Sequence, residues 1–370
     1  MFSSVVENTI ARAPPGEQGA PEQKTGTMAT TIKRRRTTGK RTSRSRTSRS
    51  RTTAKPRVTA ANSHATAGRA SAALLSRIRR IAAGLDGTMG VYIHHLTRDE
   101  TVALDADRPF QMASVFKVPL LTELTSQVAA GARSLDDQVT LTDEMKVPGS
   151  GVLKELSAGT GLSLRDLATL MIIVSDNTAT DILLDLVGTD AVNARLAACG
   201  LTRTVVTMGC RALLRDVVGL ADAPDTPEIR RLAAERLRRR ELDWNCRVYH
   251  DERANMTTPR DMGRLLELIV GPTLDGGADS GGPVPREACR LMLGIMRRQQ
   301  VRDRLPLLLP PAVEMAHKTG SLARVSNDAG VLYTATGPCV MSVFTRDLAD
   351  DLKGRLAIAQ VGRTVYDAYA

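Results

Sequence analysis

The stretch Gln111-Met112-Ala113-Ser114-Val115-Phe116-Lys117-Val118-Pro119-Leu120-Leu121 decides how the rest of the chain is read. Phe116, Leu120, Leu124 and Val128 recur every four residues, which predicts an amphipathic helix with that stripe buried. Ser114 and Lys117 stand three residues apart at its start, on one face and one turn from each other. A serine hydroxyl is a weak nucleophile until a neighbouring base takes its proton, and a desolvated lysine can be that base. A backbone N–H at a helix start has no intrahelical acceptor, so it can stabilise an oxyanion formed by the same serine. Alone, Ser-x-x-Lys arises about once by chance in a chain of this length, and a surface lysine explains it equally well.

Working outward, the net charge of +11 is concentrated at one end. Residues 1–70 hold 15 Lys and Arg against 3 Glu, leaving the other 300 residues within one charge of neutrality. The basic run Lys33 to Arg57 has no apolar pattern and cannot bury enough surface to fold, so residues 1–70 are read as a disordered basic tail. Phosphate contacts are the functional alternative; a solvated tail, or a true start at Met28 or later, is the reading preferred over it. No aromatics interleave the arginines for base stacking, and nucleic acid is not the expected partner. No apolar run of membrane-spanning length occurs, and no apolar segment follows the first basic residues as an export signal requires. Five cysteines in odd number without a C-x-x-C pair, and histidines without ligand spacing, point to a cytoplasmic protein with no metal and no cofactor.

From residue 71 the elements follow a readable order. Leu74, Leu75, Ile78, Ile81, Ala82 and Leu85 form an amphipathic helix, and Met89–Leu96 and Thr101–Leu104 a hairpin. Helical patterns then dominate to about residue 300, including Leu162–Val174, Ala179–Val187, Ala191–Cys199 and a segment opened by Thr258-Pro259. Thr226–Leu242 carries six arginines and reads as an exposed helix or insertion rather than core. Strands return at Val313–Lys318, Asp328–Thr334 and Val340–Thr345, and a closing helix sets Leu352, Leu356 and Ala359 on one stripe. That order implies an α/β (α+β) fold: an antiparallel sheet with N- and C-terminal helices enclosing an inserted all-α part. The expected bounds are 71–113 with 305–370 for the sheet part and 114–304 for the helical part, the site lying between them.

Two further stretches carry chemistry. Ser175-Asp176-Asn177 interrupts an apolar helix, either as a helix break with a capping residue or as a second hydroxyl and an amide facing a substrate. His317-Lys318-Thr319-Gly320-Ser321 ends a predicted strand, either as a plain turn or as a cation and a hydroxyl aimed at a carboxylate. Its glycine permits close backbone approach and leaves the Ser321 N–H as a second oxyanion donor.

Here the chain resembles class A β-lactamases and penicillin-binding proteins, whose motif set is S-x-x-K, S-D-N and K-T-G. The three occur in order, with serines 61 residues apart (114 to 175) and Lys318 a further 143 on (175 to 318). Leu164-Arg165-Asp166-Leu167, Gly149-Ser150-Gly151 and Asn327-Asp328-Ala329-Gly330-Val331 are similar to the family's surroundings, so the likeness spans roughly residues 72–370. The resemblance implies that Ser114 is acylated, Lys117 accepts its proton and Ser175 passes it to the leaving nitrogen. It implies that Asn177 binds a substrate amide, Lys318 and Thr319 a carboxylate, and the N–H groups of Ser114 and Ser321 the oxyanion. Two lysines around one serine lower each other's pKa.

One departure stands out. The family's water-activating glutamate belongs about 36 residues after the S-D-N serine, where this chain has Arg211 and Ala212. Glu241-Leu242-Asp243-Trp244-Asn245 has the right internal spacing, so Glu241 is the substitute expected, displaced by an insertion; a charged helix end is the bland reading. Asp279-Ser280-Gly281-Gly282-Pro283 resembles the nucleophile segment of chymotrypsin-like proteases, but that fold needs β-barrels and the surroundings here are helical. The expected activity is opening of a β-lactam, or a related ester or amide, by a monomer working without a membrane. Two alternatives remain: a penicillin-binding or esterase-like relative with slow deacylation, and a non-catalytic protein using its basic tail.

Overall fold

In the computed structural model, residues 10–11, 60–274 and 281–370 are described, with side chains from residue 71 onward. The basic run Lys33 to Arg57 lies outside the described residues, as do Asp279 and Ser280. Met1–Ala13 with Thr66–Ala370 forms one compact unit; Pro14–Ala65 is assigned to a second, of which only the helical backbone from Ala60 is described. The first helix, α1 (Ala60–Ala83), therefore starts inside the stretch expected to be tail. No helix among the described residues is long and apolar enough to cross a membrane.

Five antiparallel strands form the main sheet: β1 (Thr88–His95), β2 (Glu100–Leu104), β3 (Met315–Leu322), β4 (Val325–Thr334) and β5 (Gly337–Arg346). Their order is β2-β1-β5-β4-β3, with Val91 opposite Val343, Ala329 opposite Ser342 and Lys318 opposite Ala329. Between β2 and β3 the chain is mainly helical, with a few two- and three-residue strands: α2 (Lys117–Ala129), α3 (Leu164–Ile173), α4 (Asn177–Val187), α5 (Thr189–Ala198) and α6 (Cys210–Val217) come first. Then follow α7 (Pro227–Arg239), α8 (Pro259–Leu274) and α9 (Arg286–Met296), and α10 (Asp351–Tyr369) closes the chain. The expected sheet and helical parts are thus present.

Strand alternation divides the core in two. Met89, Val91 and Ile93 of β1 and Met341 and Val343 of β5 pack with Leu74 and Ile78 of α1 and Ile358, Val361 and Val365 of α10. The other face, through Val340, Phe344, Ala329 and Val331, joins a larger cluster centred on α2 and the helices around it. Period-two alternation lets one strand serve both cores, and truncating Ile93 to alanine would cost about 2–5 kcal/mol. The closing helix turns differently from expectation. Leu352 and Leu356 are exposed, and the buried face runs through Gly354, Ile358 and Val361. Gly354 explains this rotation, because a Cβ there would lie 2.4 Å from the Leu348 side chain. The helix sits down on its bare side.

α2 is the pillar of the helical part. Its first ten residues, Lys117 to Ser126, are all buried. Its polar residues are buried too, with Thr122, Thr125 and Ser126 bonded back to carbonyls one turn earlier, so the stripe seen in sequence understated its burial.

Candidate active site

Ser114 lies in a 3-10 turn, Ala113–Phe116, that leads into α2, rather than in the α-helix the sequence suggested. The turn is entered through Ala113 at φ +45°, a left-handed conformation that costs a non-glycine residue about 1–3 kcal/mol. Several bonds hold it there. Gln111 Oε1 accepts from the Ala113 N–H (3.1 Å), the Met112 N–H donates to the Asn255 carbonyl (2.9 Å), and Asn327 Nδ2 donates to the carbonyls of Gln111 (2.8 Å) and Met112 (3.1 Å).

The other two motifs reach the same place. Ser175 follows α3 at φ +57°, so the chain reverses sharply before α4. Lys117 Nζ lies 3.1 Å from Ser175 Oγ, 2.8 Å from the Ser175 carbonyl and 2.9 Å from Asn177 Oδ1. Lys318 Nζ, arriving on β3, lies 3.0 Å from the same Ser175 Oγ and 2.7 Å from the Thr319 carbonyl. One hydroxyl therefore bridges two buried amines. Gly320 brings β3 against the Ser114 turn: a Cβ there would sit 2.6 Å from the Met112 carbonyl and 3.2 Å from Ala113 Cβ. The glycine is required for the approach.

Ser114, Asn177 and Ser321 line one cavity of about 250 Å³, together with Gly149, Ser150, Cys210 and the leucines 213, 214, 237 and 242. Thr319 is buried beside Lys318. Burial pushes Lys117 below the ordinary lysine range, partly offset by Cys210, Asp181 and Asp176. Lys318 is held well below it, first by burial and then by the charges of Lys117 and Arg304. A buried amine with a lowered pKa can stand neutral and accept a proton.

Glu241, expected in this set, is placed outside the cavity lining. Its side chain is half exposed beside Arg239 (3.8 Å), and from that segment only Leu237 and Leu242 reach the cavity. The arginine-rich α7 ends in a left-handed Arg240, which turns the glutamate outward. α7 is a cavity wall rather than a detached insertion. Facing Lys117 instead is Cys210, one residue before the position where the family's glutamate was sought. The Asp181 carboxylate fixes this residue by accepting the N–H groups of Cys210 (2.6 Å) and Arg211 (2.8 Å). Burial raises the Cys210 thiol to about 12, so it stays protonated.

Three further contributors hold the site: the Asp176 cap is among the sequence readings, Gly149 and Gly151 stand there only as family-like surroundings, and Arg304 is missed. Asp176 is a structural clamp: it caps α4 through the Ala179 N–H (2.9 Å) and accepts Val152 (2.6 Å) and Leu153 (2.9 Å) from the facing loop. Gly149 and Gly151, at φ +91° and +100°, let that loop press on Asn177 and Asp176. Arg304 is almost wholly buried and hydrogen-bonds Ser321 Oγ, adding a guanidinium beside Lys318. No local pattern around Arg304 announces it; only the fold does.

A model of the beta-lactamase enzyme family matches residues 73–369. The chain belongs to the beta-lactamase enzyme family. It is 31% identical over 294 residues to the β-lactamase L2 of Stenotrophomonas maltophilia, covering 75% of this chain and 80% of that one. It is 25% identical over 285 residues to the β-lactamase VEB-1 of Pseudomonas aeruginosa, covering 74% and 82%. Among solved structures, the β-lactamase of Sphaerobacter thermophilus superposes with a TM-score of 0.64 at 31% identity, covering 79% of this chain and 96% of that one. The mixed α/β architecture is the β-lactamase fold, and the activity is that of a class A β-lactamase-like hydrolase.

Proposed function

We propose that this family member opens a β-lactam through an acyl-enzyme on Ser114 and releases the product slowly. The observation that carries acylation is Ser175 Oγ held between Lys117 and Lys318 at 3.1 and 3.0 Å, with Asn177, a partner of Lys117, lining one cavity with Ser114. Neutral Lys117 takes the proton as Ser114 Oγ bonds to the lactam carbonyl carbon. The amine returns it through the Ser175 hydroxyl to the ring nitrogen as the carbon–nitrogen bond breaks. Ser175 suits the relay because a hydroxyl both donates and accepts. The Ser114 N–H, in the first turn of its helix, and the Ser321 N–H are the oxyanion donors in this reading. Lys318, Thr319 and Arg304 supply charge and a hydroxyl for a substrate carboxylate.

Slow release rests on the lining: among the described residues, no Asp or Glu borders the cavity, and a neutral thiol faces Lys117. Deacylation by water needs a base, and a protonated Cys210 is not one. Incubation with benzylpenicillin should add the intact penicillin mass to the protein and leave the adduct for many minutes. A protein that gains no mass and turns over no chromogenic cephalosporin would refute acylation; fast turnover without an accumulating adduct would refute slow release.

A further inference from the structure

Behind the apolar wall of the catalytic cavity lies a second, smaller cleft between α6 and α7. Its lining is Lys146, Pro148, Arg211, Leu214, Arg215, Arg230, Ala233 and Leu237: four cations and no carboxylate. Leu214 and Leu237 border both spaces, so two leucine side chains are the partition. The room inside is about 20 Å³, enough for one water-sized polar group.

The charges there are incompletely matched. Arg211, Arg215 and Arg230 share the single carboxylate of Asp225, at 3.6, 3.5 and 2.7 Å. Arg230 takes it bidentately, with Nε at 2.8 Å, leaving the other two at the edge of ion-pair range. Lys146 pairs with exposed Asp143 at 2.7 Å, and Arg211 also feels Asp181 and Asp185 on α4. The remaining guanidinium bonds go to backbone carbonyls: Arg211 and Arg230 to Glu144, Arg215 to Leu220 and Ala223. The Nε atoms of Arg211 and Arg215 are buried and have no hydrogen-bond partner. Buried donors of that kind call for an acceptor.

We infer that this cleft is a subsite for an anionic group, a carboxylate, at the far end of the substrate's acyl substituent. The inference rests on the acyl-serine reading. A substrate whose ring carboxylate is drawn to Lys318 and Arg304 on the β3 side directs its acyl arm toward the opposite wall. That arm runs along Leu213 and Leu214 and meets the partition at its end. A carboxylate that parts Leu214 and Leu237 there places one oxygen among guanidinium groups that are already largely buried and clustered, where each contact is worth more than at an open surface.

The test uses two penicillins differing at one atom group: an adipyl acyl chain as the free acid, and its methyl ester. Acylation of the full-length protein is followed by intact mass, and the second-order rate constants are compared as a ratio of acid to ester. The ratio should be about tenfold above one in the wild type, fall at least severalfold in Arg211→Gln combined with Arg215→Gln, and survive in Arg211→Lys combined with Arg215→Lys. It should also shrink as salt is raised. Ester acylation in the same samples reports that the variants fold. A wild-type ratio of one, or a ratio unmoved by the double substitution, overturns the subsite while leaving Ser114 chemistry intact. Acylation by neither compound overturns the acyl-serine reading itself.

Discussion

On the β3 side of the cavity, Lys117, Ser175, Asn177 and Lys318 are tied together by direct hydrogen bonds, and two buried amines share one hydroxyl. On the α6–α7 side the lining is a thiol and a row of aliphatic chains, with arginines behind them. In the proposed reaction the first wall moves a proton and holds a negative substrate; among the described residues the second offers no carboxylate to deprotonate water. Making an acyl-enzyme and breaking it are, in that reaction, separate chemical tasks, and the two walls are equipped for them unequally.

Variants can break or sharpen that contrast. Ser114→Ala should have the largest effect, abolishing the penicillin adduct and lowering ring opening by roughly a millionfold, as removal of a nucleophile does; a persisting adduct would place the nucleophile elsewhere. Lys318→Met should slow acylation by about 10²–10⁴-fold, measured by stopped-flow with a chromogenic cephalosporin. The pH profile belongs to the same wall. The neutral amine is the base, so acylation rises with pH and levels off below the unperturbed lysine value of 10.5, because burial lowers both lysines. A rate still climbing at that value would contradict the lowered pKa.

For the opposite wall, Cys210→Asp should shorten the adduct lifetime by about tenfold or more, by placing a carboxylate beside Lys117. An unchanged lifetime would mean that something other than a missing base sets the slow step. Gly151→Ala should destabilise the fold by about 1–3 kcal/mol in urea melts, since φ is +100° and the added methyl meets Asp176 at 2.2 Å. Glu241→Ala should change neither acylation nor adduct lifetime, its carboxylate being half exposed beside Arg239. A slower release in that variant would restore Glu241 to the chemistry.

The difference between the walls also governs how much the sequence discloses. Ser114, Lys117, Ser175 and Lys318 are legible because their chemistry is written in short motifs, and the main-sheet strands because β-branched alternation outlines them. The α6–α7 wall is not. Arginines at six of its positions make Thr226–Leu242 read as solvent-facing, yet Arg230, Ala233 and Leu237 share one helix face and turn inward. Glu241 fitted by spacing alone, and a left-handed residue next to it reversed its direction. Arg304 and Cys210 gain their meaning only from partners at least seventeen residues away, Ser321 and Asp181. Local pattern reports periodicity and caps; it carries no information about which distant wall a side chain faces.

Gly320 carries no functional group, yet the carbonyl of Met112 is 2.6 Å from where its first side-chain carbon would be. In a survey of every substitution along the chain, position 320 should therefore be as intolerant as position 114. Even alanine would act as a wedge, spreading the strand from the turn and pulling Lys318 out of register with Ser175.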